Sequence, residues 1–163
     1  MAQLEHLIEV KATQASTEMV KEWPTRVCVL SVSGESFVAD LKHVREVSEI
    51  MPVTPVPGMP PILNGVANLR GTIVPVADLR SALRLSVSGP PAKYVVVIQH
   101  GDKTMAVLVD KLPEICDVLA EEFVSDVSQA IARAPSFVRG FWKQAGSLSG
   151  LLDVPALLSY VEG

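Results

Sequence analysis

Histidine and cysteine are scarce in this chain, at three and two residues. His6, His43 and His100 lie far apart, and none stands near a cysteine at the short paired spacing that zinc sites use, so no metal site and no cofactor is expected. There is no Gly-x-Ser-x-Gly elbow, no Walker-type phosphate loop and no Gly-x-Gly-x-x-Gly fingerprint. Asp110, at the end of an apolar run, has the place of a strand-end turn residue, and the adjacent Glu121 and Glu122 read as solvated neighbours. The sequence therefore predicts no catalytic activity. It also lacks a Lys/Arg-rich run, and with a net charge of −4 it is not expected to bind nucleic acid. Long apolar stretches are missing too: Val95-Val96-Val97-Ile98 is typical, far short of the roughly 20 residues of a membrane helix. The first nine residues carry acids where a signal peptide needs a basic start. Together with two cysteines inside apolar runs, Cys28 and Cys116, this predicts a reduced, cytoplasmic protein.

What the chain does have is aliphatic residues. Hydrophobic residues make up 48% and aromatics only 5%, so Val, Leu and Ile must fill the core, a composition suited to strands. Residues 1–24 read as an arm, helical or disordered, with Leu4, Ile8, Ala15, Met19 and Trp23 near helical spacing and Pro24 as a stop. Residues 25–163 form one β-rich domain. Strands are predicted at 27–32, 36–41, 44–50, 65–69, 72–76, 93–99, 104–109, 112–118, 137–142 and 148–152. Five prolines between positions 52 and 61 make that segment a loop. Asp78 is placed to cap a short helix reaching about Leu85, and a second helix is predicted over 154–161.

The two halves repeat each other. Val44-Arg45-Glu46-Val47 matches Leu112-Pro113-Glu114-Ile115 at an offset of 114 − 46 = 68. Pro60, Gly65, Gly71 and Asp78 match Pro135, Gly140, Gly146 and Asp153 at an offset of 75. The difference of seven predicts a longer loop at 120–134. About five strands per half suit two small closed barrels, the first over about 26–85 and the second over about 92–163. Where both halves keep a residue type, the fold needs it. Arg70, matched by Ala145, and Asn68, matched by Lys143, are not explained in that way.

Residues 56–80, with Asn-Leu-Arg-Gly at 68–71, together with Val-Arg-Glu-Val at 44–47 and Leu-Val-Asp at 108–110, resemble the CheW family of bacterial chemotaxis coupling proteins. The resemblance runs from Arg26 to the C-terminus. It implies a mainly β fold of two five-stranded barrels related by a pseudo-two-fold, with a shared hydrophobic core and short helices. It also implies a non-enzymatic adaptor between chemoreceptor cytoplasmic tips and the regulatory domain of a CheA-type histidine kinase, recruited to membrane-associated receptor arrays. Carried onto this chain, Val44, Glu46, Gly65 and Arg70 are the expected protein-binding residues, with Val109 a further candidate for a receptor groove; Asn68, singled out by the repeat, is expected to join them. Related couplers also serve type IV pilus and other non-flagellar arrays. A module holding a small molecule between the barrels is the alternative from another class, although the sequence offers mostly aliphatic strands there.

Overall fold

The computed structural model describes residues 23–87, 89, 91–125 and 137–162; all but the last two residues of the expected arm (1–24) and most of the expected 120–134 loop, with Pro135, lie outside them. Eleven strands are present among the described residues: β1 (Arg26–Val32), β2 (Glu35–Asp40), β3 (Val44–Glu49), β4 (Leu63–Leu69), β5 (Thr72–Ala77), β6 (Tyr94–His100), β7 (Lys103–Val109), β8 (Glu114–Asp117), β9 (Phe123–Val124), β10 (Val138–Gln144) and β11 (Ser147–Leu152). One α-helix is present among the described residues, α1 (Val154–Glu162), after β11. The predicted repeat holds strand by strand. The strands β1, β2 and β3 correspond to β6, β7 and β8 near the offset of 68, and β4 and β5 to β10 and β11 at 75.

The strands assemble into two sheets, ordered β8-β1-β2-β11-β10-β9 and β3-β6-β7-β5-β4. Exchanging the halves turns one order into the other, apart from the short β9, so the pseudo-two-fold is a property of the topology. One expectation is corrected here: neither barrel is a contiguous half. The β1–β2 hairpin of the first half completes the sheet of the second half, and β6–β7 completes that of the first. The cause lies in the connections. After β2, a 3-10 turn at Leu41–His43, whose first turn is held by the Asp40 side chain accepting from Lys42 N (3.1 Å), diverts the chain into the other sheet. The late strands then return parallel to the exchanged hairpins, with Gly150 opposite Phe37 and Val76 opposite Ala106, as crossover connections require.

Alternation along the strands divides the apolar side chains among three cores. Leu30, Val32, Ile98, Met105, Leu152 and Leu157 pack between the sheets, joined by Leu79 and Leu83. Ala67, Leu69, Val74, Val76, Val95 and Val97 fill the first barrel, the one built on β3, β4 and β5. Val27, Val38, Phe123, Trp142 and Leu151 fill the second. Each fully buried Leu, Ile or Val contributes about 1.5–3 kcal/mol.

Residues 80–84 are a run of turns, in place of the helix expected from Asp78 to about Leu85. Asp78 Oδ1 does accept from Arg80 N at 3.0 Å. The continuation fails because Leu83 N bonds Leu79 O whereas Arg84 N bonds Ser81 O, and Arg84 adopts φ 60. In the second half, Asp153 Oδ1 accepts from Ala156 N at 3.1 Å and α1 runs on as expected. Cys28 is buried, but Cys116, although it too lies inside an apolar run, is only half-buried. Val27 opposes Cys116 and Cys28 opposes Ile115, so the two thiols point to opposite faces of the sheet.

Candidate functional site

Strands β3 and β4 are the outer strands of the second sheet, and the first barrel is closed where they approach each other. Two contacts make that seam. Beyond β3 the chain crosses to β4, where Thr54 and Val66 exchange backbone hydrogen bonds of 2.8 and 2.9 Å. At the rim, Arg70 Nη2 lies 3.0 Å from Glu46 Oε2. Glu46 is directly opposite Val97, so it faces the barrel interior, and only 17% of its side chain is exposed. Its Oε2 is buried and approaches the guanidinium as an ion pair without the alignment of a hydrogen bond. Arg70 itself is 81% exposed, so the pair adds only about 0–1 kcal/mol.

The turn that presents Arg70 has a cost. Arg70 and Gly71 occupy the two central positions of a two-residue hairpin with φ 53 and 89, the left-handed pair that suits Asn-Gly. Ala145 and Gly146 make the same turn in the second barrel, with φ 34 and 85. An arginine therefore sits where the fold accepts alanine and where backbone preference favours neither. Asn68 stabilises this turn, its Oδ1 accepting from Gly71 N at 2.7 Å. Beside it lies Ile73, opposite Asn68 on the outer face and 62% exposed. Val47, next to Glu46, is also open to solvent at 38%. Ile73 and Val47 were not singled out from sequence, where each is one more β-branched residue in a strand.

The other expected site residues divide differently. Val44 is half-buried against the core between the sheets. Gly65 is buried, at φ +150; a Cβ there would stand 2.7 Å from the Thr54 carbonyl carbon and 2.9 Å from Pro55 Cα. This glycine is demanded by the closure of the barrel. Val109 is fully buried between the sheets and offers no surface to a partner.

A cavity of about 210 Å³ lies where the sheets meet, lined by Val32, Ile50, Leu108 and the polar Asp78, Arg80 and Asp110. Asn64 lines it too, and the charged groups are already engaged. Arg80 grips Asp78 through Nε–Oδ1 (3.0 Å) and Nη2–Oδ2 (2.6 Å) and donates from Nη1 to Val87 O (3.0 Å). Burial works against the charge on Asp78, but Arg80 and its backbone N–H hold the carboxyl below the usual range. Asp110 accepts from Gly34 N at 2.9 Å. So small a space, its charged groups paired within the protein, does not suit the small-molecule alternative. Glu122 is likewise engaged, its Oε1 accepting from Leu119 N at 2.7 Å and so capping a 3-10 turn. Among the described residues, no group of three or more His, Cys, Asp or Glu is placed to hold a metal. No helix among them is long and apolar enough to cross a membrane.

At the second barrel, the closing contact is β9 on β10, where Phe141 opposes Val124 as Val66 opposes Thr54. Trp23, expected to belong to the arm, packs here. Its ring stacks on Phe123 (centroids 5.1 Å, planes 11° apart), and Arg139 lies over it at 5.5 Å. Gly140, the counterpart of Gly65, makes room for it: a Cβ there would come within 2.7 Å of the indole.

Comparison with known proteins agrees with this architecture. Residues 26–162 match the family model of the CheW-like domain. The chain is 27% identical to the chemotaxis protein CheW of Klebsiella aerogenes over 82% of its own length and 81% of the relative's. It is 29% identical to protein PilI of Pseudomonas aeruginosa, over 77% of its length and 70% of that protein's. The crystal structure of the scaffolding protein TtCheW from Thermoanaerobacter tengcongensis superposes with a TM-score of 0.69 at 22% identity, covering 80% of this chain and 89% of that one.

Proposed function

The chain belongs to the CheW-like domain family, and from that premise we propose that it is a non-enzymatic adaptor coupling chemoreceptor cytoplasmic tips to a CheA-type histidine kinase in the cytoplasm. The observation that carries this proposal is the rim of the first barrel. There an exposed arginine is held in an unfavourable turn conformation over a buried carboxylate, with exposed Ile73 beside it on the same hairpin. Arginine with adjoining apolar area is a frequent anchor of protein interfaces. Arg70 and half-buried Val44 contribute to the kinase-facing surface and Glu46 orients Arg70 at its border; Gly65 and Asn68 act through the loop closure and the turn that support it.

The test uses two substitutions at one position. Arg70→Ala reproduces the turn of the second barrel, so melting should shift by no more than about 0.5 kcal/mol, while affinity for the kinase regulatory domain falls about tenfold or more. Arg70→Glu places a second carboxylate beside Glu46 and should abolish binding. Calorimetric titration with both variants decides the matter: unchanged affinity in the two would remove Arg70 from the interface. A second reading is favoured by the similarity to PilI, and places the same coupling in a type IV pilus or other non-flagellar array. Co-elution with the kinase and receptor fragments of one pathway and not the other separates them.

A further inference from the structure

Beside the 3-10 turn between β2 and β3, the first barrel carries a second concavity. It is an open depression of about 540 Å³, with Lys42, His43, Arg45, Gln99 and His100 in its lining. We infer that this depression is a recognition site for an acidic segment of a partner protein, whose carboxylates are taken by Lys42 and Arg45 over a floor formed by His43 and His100.

Four observations support it. No carboxylate lines the depression, although the chain as a whole has a net charge of −4. Arg45 lies at a β-bulge between Val44 and Glu46, the kind of irregularity that re-aims a side chain, and it is exposed. Neither a hydrogen bond nor an ion pair engages its side chain among the described residues. Lys42 has only a loose ion pair with Asp40, at 3.8 Å and with two thirds of its side chain exposed. Finally, the imidazoles of His43 and His100 meet edge to face, their centroids 5.4 Å apart, which fixes the floor.

The internal repeat shows that the fold does not require these residues. At the offset of 68, His43, Arg45 and His100 correspond to Lys111, Pro113 and Val32. The second barrel is therefore built without the imidazole pair and without the exposed arginine. The openness of the site selects the ligand class. Small-molecule pockets enclose most of their ligand, whereas an open basic depression beside half-buried Val44 suits a peptide segment lying across it. Guanidinium and ammonium groups on carboxylates form the stronger, charge-assisted hydrogen bonds.

Fluorescence anisotropy with a short, labelled glutamate-rich peptide tests this on the whole chain, with a glutamine peptide of the same length as control. The glutamate peptide should bind saturably and the glutamine peptide should not. Lys42→Glu/Arg45→Glu should weaken binding by about tenfold or more. Lys93→Glu/Lys143→Glu makes the same change in net charge at exposed positions elsewhere, and should alter it by no more than about twofold. Absence of saturable binding, equal binding of the two peptides, or equal weakening by the two double variants would overturn the proposal. If melting shows that the charge reversal unfolds the chain, Lys42→Gln/Arg45→Gln is measured instead, with the same expected loss. The probe is a peptide and not a kinase or receptor fragment, so the outcome is independent of the adaptor role.

Discussion

The two barrels share a strand plan and differ in what closes them. In the first, the Thr54 backbone lies directly on Gly65, and the Glu46–Arg70 pair guards the rim. In the second, β9 replaces the single bridge at Thr54, and the side chain of Trp23 covers Gly140. At Gly65 the close neighbours are all backbone, which cannot yield; at Gly140 the nearest is the Trp23 ring, which can, with the Val124 carbonyl oxygen next at 3.1 Å. The difference teaches that one position in a repeat can carry two mechanical roles. It also separates residues required by the barrel from residues added to one barrel only.

The largest expected effect comes from placing the same methyl group in both closures. Gly65→Ala forces a Cβ into the Thr54 carbonyl at a φ that side chains avoid, and should cost on the order of 3–5 kcal/mol. Gly140→Ala should cost about 1–2 kcal/mol and displace Trp23, visible as a change in tryptophan emission. Denaturant melts of the two variants give the comparison directly. Equal losses would mean that the closures are mechanically alike.

A smaller effect separates the paired aspartates. Asp78 is clamped by Arg80, whereas Asp153, with Pro155 at the position equivalent to Arg80, only caps its helix. Asp78→Asn should cost about 1–2 kcal/mol at neutral pH, and Asp153→Asn only a few tenths, roughly, because asparagine also caps. The folded Asp78 carboxyl titrates below the usual range, so its contribution is complete above about pH 4, where the unfolded group is ionised. It is lost as pH falls through the lower folded value. The stability gap between wild type and Asp78→Asn should therefore close on acidification below about pH 4. A gap that stayed constant there would mean that the clamp does not favour the charged form.

The smallest effect concerns the thiols and involves no loss of stability. Burial, with a further contribution from neighbouring Cys116, pushes Cys28 up to about 11. Under native conditions, a thiol reagent should label half-buried Cys116 well before Cys28, which should react only on unfolding. Equal rates would contradict the placement of the two residues on opposite faces.

Strand positions were legible because alternating aliphatic residues, tight turns and a repeat at fixed offsets are all local signals. The extra length within the second half shows in the offset, which passes from 68 at Glu46 to 70 at Thr54–Val124 and to 75 from β4 onward. The start of the expected 120–134 loop, however, is a 3-10 turn at Ala120–Glu122 and the strand β9. Pairing between distant strands was not legible, since nothing in the apolar pattern of β1–β2 states which half it will join. The Asp78 segment carried a cap signal, but a helix propagates only if the residues after the cap keep helical backbone angles, and the chain turns back at Arg84. Val109 belonged to a suggestive motif, yet its burial is set by the sheet packed against it. Trp23 looked like part of the arm because its partners, Phe123 and Arg139, lie a hundred or more residues away in sequence.

The exchange of hairpins also determines when the molecule becomes a molecule. The β1–β2 hairpin is made long before its parallel neighbour, which contains Gly150 and Leu151, the partners of Phe37 and Val38. Neither barrel closes on residues of its own half alone. The nascent chain must therefore carry an unpaired β2 edge until β11 has emerged, whereas the five strands of the first barrel are all present once β7 is made. Topologies of such long-range closure fold slowly and expose strand edges while they wait. For the same reason, a cut between the halves should leave two fragments that fold together or not at all.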